Sequence, residues 1–244
     1  IKLLGDRNLG VGFDQFVLMC NAEKDNAHVF LKFWNSDGST SSTCGNATRC
    51  VADIIMNETG LDSVNIATNA EKIKCLKLNN GQISTNLGIP KTAWNDIPLS
   101  EKCDTRKLPI EGNPIATSIG NPHCTFFVEN LNKFSISKIG QETEINPLFP
   151  DKTNVQIAEV VDESKIKVKV WERGSGITMA SGSSACAVAF SAKRLNLTKN
   201  SVKIILDGGI VDVHCQEDGV WVSGDIKYVF SGKISSLFFD DRNN

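Results

Sequence analysis

The sequence predicts an α+β chain built from two similar halves. Three observations predict this. Strand-like runs dominate the chain, and only two segments read strongly as helix. Each of those helices also follows a matching stretch, "WNSDGSTSSTCGNATRC" (34–50) and "WERGSGITMASGSSACA" (171–187). In both, a tryptophan followed by a polar residue leads, ten positions on, to a small residue before glycine: Cys44 in the first, Ser181 in the second. We therefore expect one half to comprise 1–88 with 226–244 and to carry Cys44. The other half, 89–225, carries Ser181.

The strands are read from alternating apolar and polar residues, the period of a half-buried strand. "FVLMC" (16–20), "VFLKFW" (29–34), "VNIAT" (64–68) and "KIKCLKL" (72–78) fall in the first third. "TFFVE" (125–129), "VQIAEVV" (155–161) and "KIKVKVW" (165–171) follow, and "VKIIL" (202–206), "IVDVHC" (210–215) and "GVWVSG" (219–224) come last. "NNGQ" (79–82) and "LDGGIV" (206–211) carry hairpin signals, and "GIPKTAWNDIP" (88–98) reads as a crossover between halves. The first helix is expected at Gly45–Thr59, with Ala47, Val51, Ile54 and Ile55 on one face and Gly60 as its stop. The second, at Gly182–Leu195, is small and apolar nearly all round at its start, as a helix buried on every side should be. A weaker helical signal lies near 131–139.

Composition narrows the function. The 244 residues are 41% hydrophobic and 22% charged, with a net charge of −2 and no long basic run, which argues against nucleic acid or an anionic membrane surface as partner. No stretch reaches the length of a membrane span. The eight cysteines are scattered, without a disulfide framework, and imply a reducing, cytoplasmic compartment. In such a compartment the sequons at Asn46, Asn57 and Asn196 are chance matches. With no Cys-x-x-Cys pair and with His28, His123 and His214 far apart in sequence, a zinc site is not expected. The opening "IKLLGDRNLGVGFDQF" reads like the interior of a domain, so an N-terminal segment is expected to precede Ile1.

A cysteine immediately before a helix feels the positive end of the helix dipole, which favours the thiolate. Cys44 has that position if the helix begins at Gly45; the alternative is a buried thiol without chemistry. If a pseudo-twofold axis relates the halves, both helix starts converge and their free N–H groups form one anion site. Gly45 and Gly182 would let a carboxylate approach the backbone, with residues 44 and 181 on opposite faces of its α-carbon. That is the geometry of a two-base racemase. Gln15, Asn35, Asn121, Asn154, Glu172 and Arg173 suit a small zwitterion with more than one carboxylate and ammonium, Arg173 as a bidentate partner. His123 either orients a group near the site or is a structural histidine in a turn.

"DRNLGVGFDQ" (6–15), "WNSDGS" with "CGNATRC", "GNPHC" (120–124) and "WERGSGITMA" (171–180) before Gly182 carry a resemblance to the diaminopimelate epimerase family over almost the whole chain. The resemblance implies two similar domains, each a curled β-structure around a central helix, paired in a homodimer. It implies cofactor-independent interconversion of LL- and meso-diaminopimelate, for lysine and peptidoglycan synthesis. Carried over residue by residue, Cys44 is one catalytic thiol, and Gly45–Asn46 and Gly182–Ser183 hold the α-carboxylate and α-amino group. Gln15, Asn35, Asn121, Asn154, Glu172 and Arg173 position the substrate and read its distal centre. The family's N-terminal "GLGNDF" segment, with one more binding asparagine, is not in this sequence.

One position departs from the family pattern: Ser181 stands where the second catalytic cysteine is expected. A hydroxyl is a far weaker acid than a thiol, so its conjugate base is scarcely populated near neutrality and epimerisation should be impaired. Cys186, five residues on, is expected to face the core rather than the site, as is Cys50 in the first half. Ser181 then marks an engineered substitution, a weakly active natural variant, or a relative needing a single thiol, such as the hydroxyproline dehydratases. A non-catalytic diaminopimelate-binding protein is a further reading.

Overall fold

The computed structural model describes residues 1–22, 26–41, 44–69, 72–236 and 238; the end of the expected returning segment, 239–244, lies outside the described residues. A short helix α1 (Lys2–Gly5) leads to strand β1 (Gln15–Cys20), which pairs antiparallel with β2 (Val29–Asn35). Strand β3 (Thr40–Ser41) folds back on β2, and helix α2 (Gly45–Thr59) crosses over. Strand β4 (Ser63–Ala67) then runs parallel to β2, and β5 (Lys72–Lys77) and β6 (Ile83–Asn86) follow antiparallel. Next come β7 (Ile115–Ser118), β8 (Pro122–Val128) and helix α3 (Ile136–Glu144). The opening succession then repeats. Strands β9 (Asn154–Asp162) and β10 (Lys165–Glu172) form a hairpin, and β11 (Gly176–Thr178) folds back on β10. Helix α4 (Gly182–Arg194) crosses over, and β12 (Ser201–Leu206) runs parallel to β10. Strands β13 (Gly209–Gln216) and β14 (Gly219–Gly224) close the unit antiparallel.

Among the described residues twelve of the fourteen strands join one path, β1-β2-β4-β5-β6-β14-β13-β12-β10-β9-β8-β7, with β3 and β11 off it against β2 and β10, so this is the sheet-dominated α+β chain expected from the sequence. The joint between the repeated units is β6 against β14, antiparallel, from Trp221 opposite Asn86 to Gly224 opposite Ile83. Two apolar cores fill separately. One packs α2 (Val51, Ala52, Ile55, Met56) on Leu31, Phe33, Ile66 and Ile73, with Ile226 returning to it from beyond β14. The other packs α4 (Ala185 to Ala189, Ala192) on Ile166, Val168, Ile204 and Val213.

Both central helices form where the sequence places them, because local signals and burial agree. Gly60 ends α2 at φ 72°, a left-handed cap whose N–H reaches the Met56 carbonyl. Helix α4 ends on Lys193 and Arg194, cations that suit a C-terminal dipole. The weak signal near 131–139 resolves into a 3₁₀ turn at Leu131–Lys133 and then α3, whose start is capped by Ser135 Oγ accepting Lys138 N–H at 3.4 Å. Strands β3, β6, β7 and β11 were not expected. All are four residues or fewer, too short to establish a period.

One expectation fails outright: Cys50 does not face the core but is exposed, while Cys186 is fully buried. The face of α2 that packs inward carries Thr48, Arg49, Val51, Ala52, Ile55 and Met56, and Ile54 is 39% exposed. The stripe is rotated by about one position from the apolar count, because Thr48 and Arg49 enter the buried side and Cys50 turns out. In α4, enclosed all round, Cys186 has no outer face to occupy. Site-resolved iodoacetamide labelling of the native chain should therefore modify Cys50 and leave Cys75, Cys124 and Cys186 unmodified until denaturant is added. Protected Cys50 would contradict this helix register.

Candidate active site

Cys44 and Ser181 occupy the same place in the two repeated units. Each is the N-cap of its central helix, in extended backbone at φ −151° and −146°. The Cys44 Sγ accepts the Ala47 N–H at 3.4 Å, and the Ser181 Oγ accepts the Ser184 N–H at 3.4 Å. The helix starts meet: a Cβ built on Gly182 would lie 4.0 Å from the Gly45 Cα, and one built on Gly45 would enter space empty to 4 Å. Neither first turn contains an acidic residue, so neither helix compensates its own positive end. Asn46 and Ser183 are the next residues of each helix.

The electrostatics around Cys44 differ from the expectation of a helix-stabilised thiolate. Burial pushes its thiol above the ordinary value, outweighing the pull of the Ala47 and Asn46 N–H groups and of the Arg49 charge, and Glu172 pushes it further up. The dipole does act on Cys44, but desolvation is the larger effect. Ser181 is 7% exposed. Burial likewise raises the Glu172 carboxyl, against hydrogen bonds from Thr178 and Ser181; the Thr178 Oγ1 donates to Glu172 Oε1 at 2.7 Å. Glu172 thus interacts with both N-caps from the end of β10.

The other expected residues fall into three groups. Gln15 and Asn35 face each other across β1 and β2, with Gln15 Nε2 donating to Asn35 Oδ1 at 3.1 Å. They sit where β2 leaves for the Cys44 loop. Asn121, His123 and Asn154 form a second group. His123 Nε2–H donates to Asn121 Oδ1 at 2.8 Å, and its Nδ1 accepts from Gln156 Nε2 at 3.0 Å. Gln156 also donates to Ser184 Oγ in the first turn of α4. Since an amide nitrogen only donates, the ring is the neutral Nε2–H tautomer, and Asn121 is held with its amide N–H₂ free. His123 is fully buried, and burial first, then the Arg173 charge, pushes it down to about 3. Asn154 is 4% exposed; its Nδ2 donates to the Pro122 carbonyl at 2.9 Å and its Oδ1 accepts the Arg173 N–H at 3.0 Å. Exposed Arg173, whose Nη1 donates to the Asp151 carbonyl at 2.8 Å, forms with Glu172 the third group.

Several residues that shape this region carried no sequence signal. Gln156 lies inside an apolar strand and reads as one polar residue among many. Arg49, 5% exposed, donates from Nη2 to Asn46 Oδ1 at 2.7 Å, which turns the Asn46 amide N–H₂ outward. Its presence on the buried face of α2 was the available signal, hidden by a misplaced stripe. Glu144 at the end of α3 accepts from Trp171 and Gly174, in the turn that carries Glu172 and Arg173. An open surface cavity of about 740 Å³, lined by Lys193, Ser201 and His214 among others, lies at the far end of α4 from Ser181 and holds none of these groups.

Comparisons with known proteins point the same way. The family model described as diaminopimelate epimerase matches residues 1–92 and 115–229. The diaminopimelate epimerase of Acidiphilium cryptum is 40% identical over 239 residues, covering 96% of this chain and 85% of that protein. That of Pelagibacter ubique is 43% identical over 203 residues, covering 80% and 73%. Among solved structures, a hydroxyproline epimerase from Agrobacterium vitis superposes with a TM-score of 0.62 at 13% identity, over 91% of this chain and 75% of that one. A predicted epimerase from Pseudomonas aeruginosa superposes at 0.61 and 14% identity, over 86% and 80%. At such identities these two establish the fold alone.

The His123 network sets an acid limit. Above pH 6.5 the ring is neutral folded and unfolded; between 6.5 and about 3 the unfolded chain takes up a proton that the folded one refuses. Stability therefore falls as pH falls through that window, by at most about 1.4 kcal/mol per pH unit from this group. In urea titrations from pH 7.5 to 4, the difference in unfolding free energy between the chain and a His123→Gln variant should shrink steadily below pH 6.5. A constant difference would exclude a neutral buried ring.

Proposed function

Because the chain belongs to the diaminopimelate epimerase family, we propose that its two helix N-caps flank the α-carbon of diaminopimelate and that Ser181 limits the reaction there. The chain is an isomerase of that family. What supports the reading most is the meeting of the helix starts at Gly45 and Gly182, with Cys44 and Ser181 as equivalent caps. The α-carboxylate accepts hydrogen bonds from N–H groups of both first turns, which carry no acidic residue of their own. Asn46 and Asn121, whose amide oxygens are engaged by Arg49 and His123, offer their N–H₂ groups, and Gln15, Asn35 and Ser183 line the same region. Arg173 and Glu172 meet the distal carboxylate and ammonium, and Asn154 holds the Arg173 backbone in place.

In this scheme the Cys44 thiolate removes the α-proton from one face, and the carbanion takes a proton from the opposite face. A raised thiol pKa makes the thiolate, once formed, the stronger base toward the α-proton. A serine on the second face can neither start the reverse reaction nor donate without leaving an alkoxide, so the chain turns over weakly. The half boundaries are proposed at 88/89, with the chain returning to the first half from 226, supported by Ile226 in the first core. No described helix is long and apolar enough to cross a membrane, and a biosynthetic role would place the chain in the cytoplasm. A one-thiol dehydratase fits less well, because a proline ring offers nothing for the distal pair Glu172 and Arg173.

We further propose a homodimer, supported by exposed Leu18 and Met19 on edge strand β1 and by Tyr228, Val229 and Phe230, 68–80% exposed beyond β14.

Ser181→Cys should raise LL-to-meso turnover by about 10²-fold or more. Without it, the chain should still exchange the α-proton of one stereoisomer for solvent deuterium, and Cys44→Ala should abolish that exchange. Equal turnover with and without the second thiol would overturn the reading. For the dimer, light scattering should give twice the 26.6 kDa chain mass, falling to the single-chain mass on Val229→Glu with Phe230→Glu. A monomer before substitution refutes it.

A further inference from the structure

Strand β10 ends at Glu172 and β11 begins at Gly176, so the chain reverses within Arg173, Gly174 and Ser175, with Gly174 at φ 77°. Every backbone N–H of this reversal is engaged. Arg173 N–H donates to Asn154 Oδ1 at 3.0 Å, Gly174 N–H to Glu144 Oε1 at 3.1 Å, and Ser175 N–H to the Glu172 carbonyl at 3.0 Å. Glu144 contributes a second bond: its Oε2 accepts the Trp171 indole N–H at 2.7 Å. One carboxylate therefore grips both ends of the four-residue segment that carries Glu172 and Arg173. It is 7% exposed and stands on the last residue of α3, with Lys152 Nζ 3.4 Å from Oε1. Helix α3 is itself keyed to the segment, since a Cβ at Gly140 would collide with the Trp171 ring.

We propose that Glu144 is a positioning residue for substrate selectivity: by tying the Trp171 indole to the Gly174 backbone it fixes the reach of Arg173 and Glu172, and so how well the site reads the second carboxylate of its ligand. This rests on the reading of Arg173 as a distal-carboxylate contact. A carboxylate is suited to the task because it presents two acceptors to two N–H donors. Glutamine has one acceptor and would turn an N–H₂ group toward one of them. A residue serving stability alone would weaken all ligands alike, whereas a positioning residue weakens only those with something for Arg173 to hold.

The test compares binding of meso-diaminopimelate with binding of L-lysine, which lacks the second carboxylate, by calorimetry and ligand-observed NMR. Both report binding without turnover, so Ser181 does not interfere. Glu144→Gln should weaken diaminopimelate about tenfold, the scale of one buried hydrogen bond lost, and leave lysine within about twofold. Trp171→Phe, which keeps the packed ring and removes only the indole N–H, should shift selectivity the same way but less, and it carries the test if Glu144→Gln does not fold. Arg173→Ala should erase the preference for diaminopimelate. Equal loss for both ligands in the Glu144 and Trp171 variants, or no loss in either while Arg173→Ala loses its preference, overturns the positioning role. An unchanged preference in Arg173→Ala sinks the distal contact itself, and the proposal with it.

Discussion

Two helix N-termini that start within van der Waals reach of one another are unfavourable by themselves. Each carries roughly half a positive charge, and two half-charges a few ångström apart repel by about 1 kcal/mol at an effective dielectric near 20. Within the two helices nothing relieves this, and the one acidic group described at both caps, Glu172, has its charged form disfavoured by burial. Neither first turn has an acidic residue, and the caps are a thiol and a hydroxyl rather than carboxylates. Buried Arg49 adds positive charge beside the first of them. An anion entering between the helix starts would compensate the arrangement, which is why the proposed reading puts a carboxylate there. A carboxylate held there from both sides would also place the carbon next to it between the two caps.

That placement follows from topology. The repeated succession of hairpin, fold-back strand, helix and three strands ends in β6 in one unit and β14 in the other, and those last strands pair antiparallel. Antiparallel pairing of equivalent strands relates the units by a local twofold, so whatever stands before α2 is mirrored by what stands before α4. Two equivalent groups on opposite faces of one carbon are the requirement of a reaction that inverts a stereocentre. The backbone is symmetric here, and the side chains are not. Ser181 leaves the helix cap intact, since its Oγ accepts the Ser184 N–H as Cys44 Sγ accepts that of Ala47, yet it alters the acid strength on one face.

How much of this could be read from residues alone depended on the length and locality of the signal. Helices α2 and α4 were legible to within a residue because cap, composition and stop all lie within one segment. The long strands were legible from alternation, whereas β6 and β7 were not, though β6 forms half of the joint. The paired caps were visible as a repeat at fixed spacing from tryptophan. The orientation of α2 differs because counting apolar residues assigns Arg49 to solvent, whereas it is buried beside Gly224 of β14. The thiol's pKa differs for a related reason: a dipole can be inferred from sequence position, but desolvation depends on how the folded chain buries Sγ.

The residues that recognise a ligand and those that hold them in place separate in the same way. Asn46, Asn121 and Arg173 are recognisable as polar residues in motifs. Arg49 and His123, three and two positions from the amides they hold, and Glu144, thirty positions from Gly174 on another element, fix their orientation; which bond each makes is visible only in the folded chain. An amide whose oxygen is already bound presents its donors without a search among rotamers, which lowers the ordering cost of binding an anion. The supporting groups are buried and hydrogen-bonded to the residues they orient, and none of those bonds involves position 181. On the proposed reading binding and proton transfer are separable: recognition depends on an asymmetric network of hydrogen bonds, and inversion on a symmetric pair of caps whose members differ in acidity.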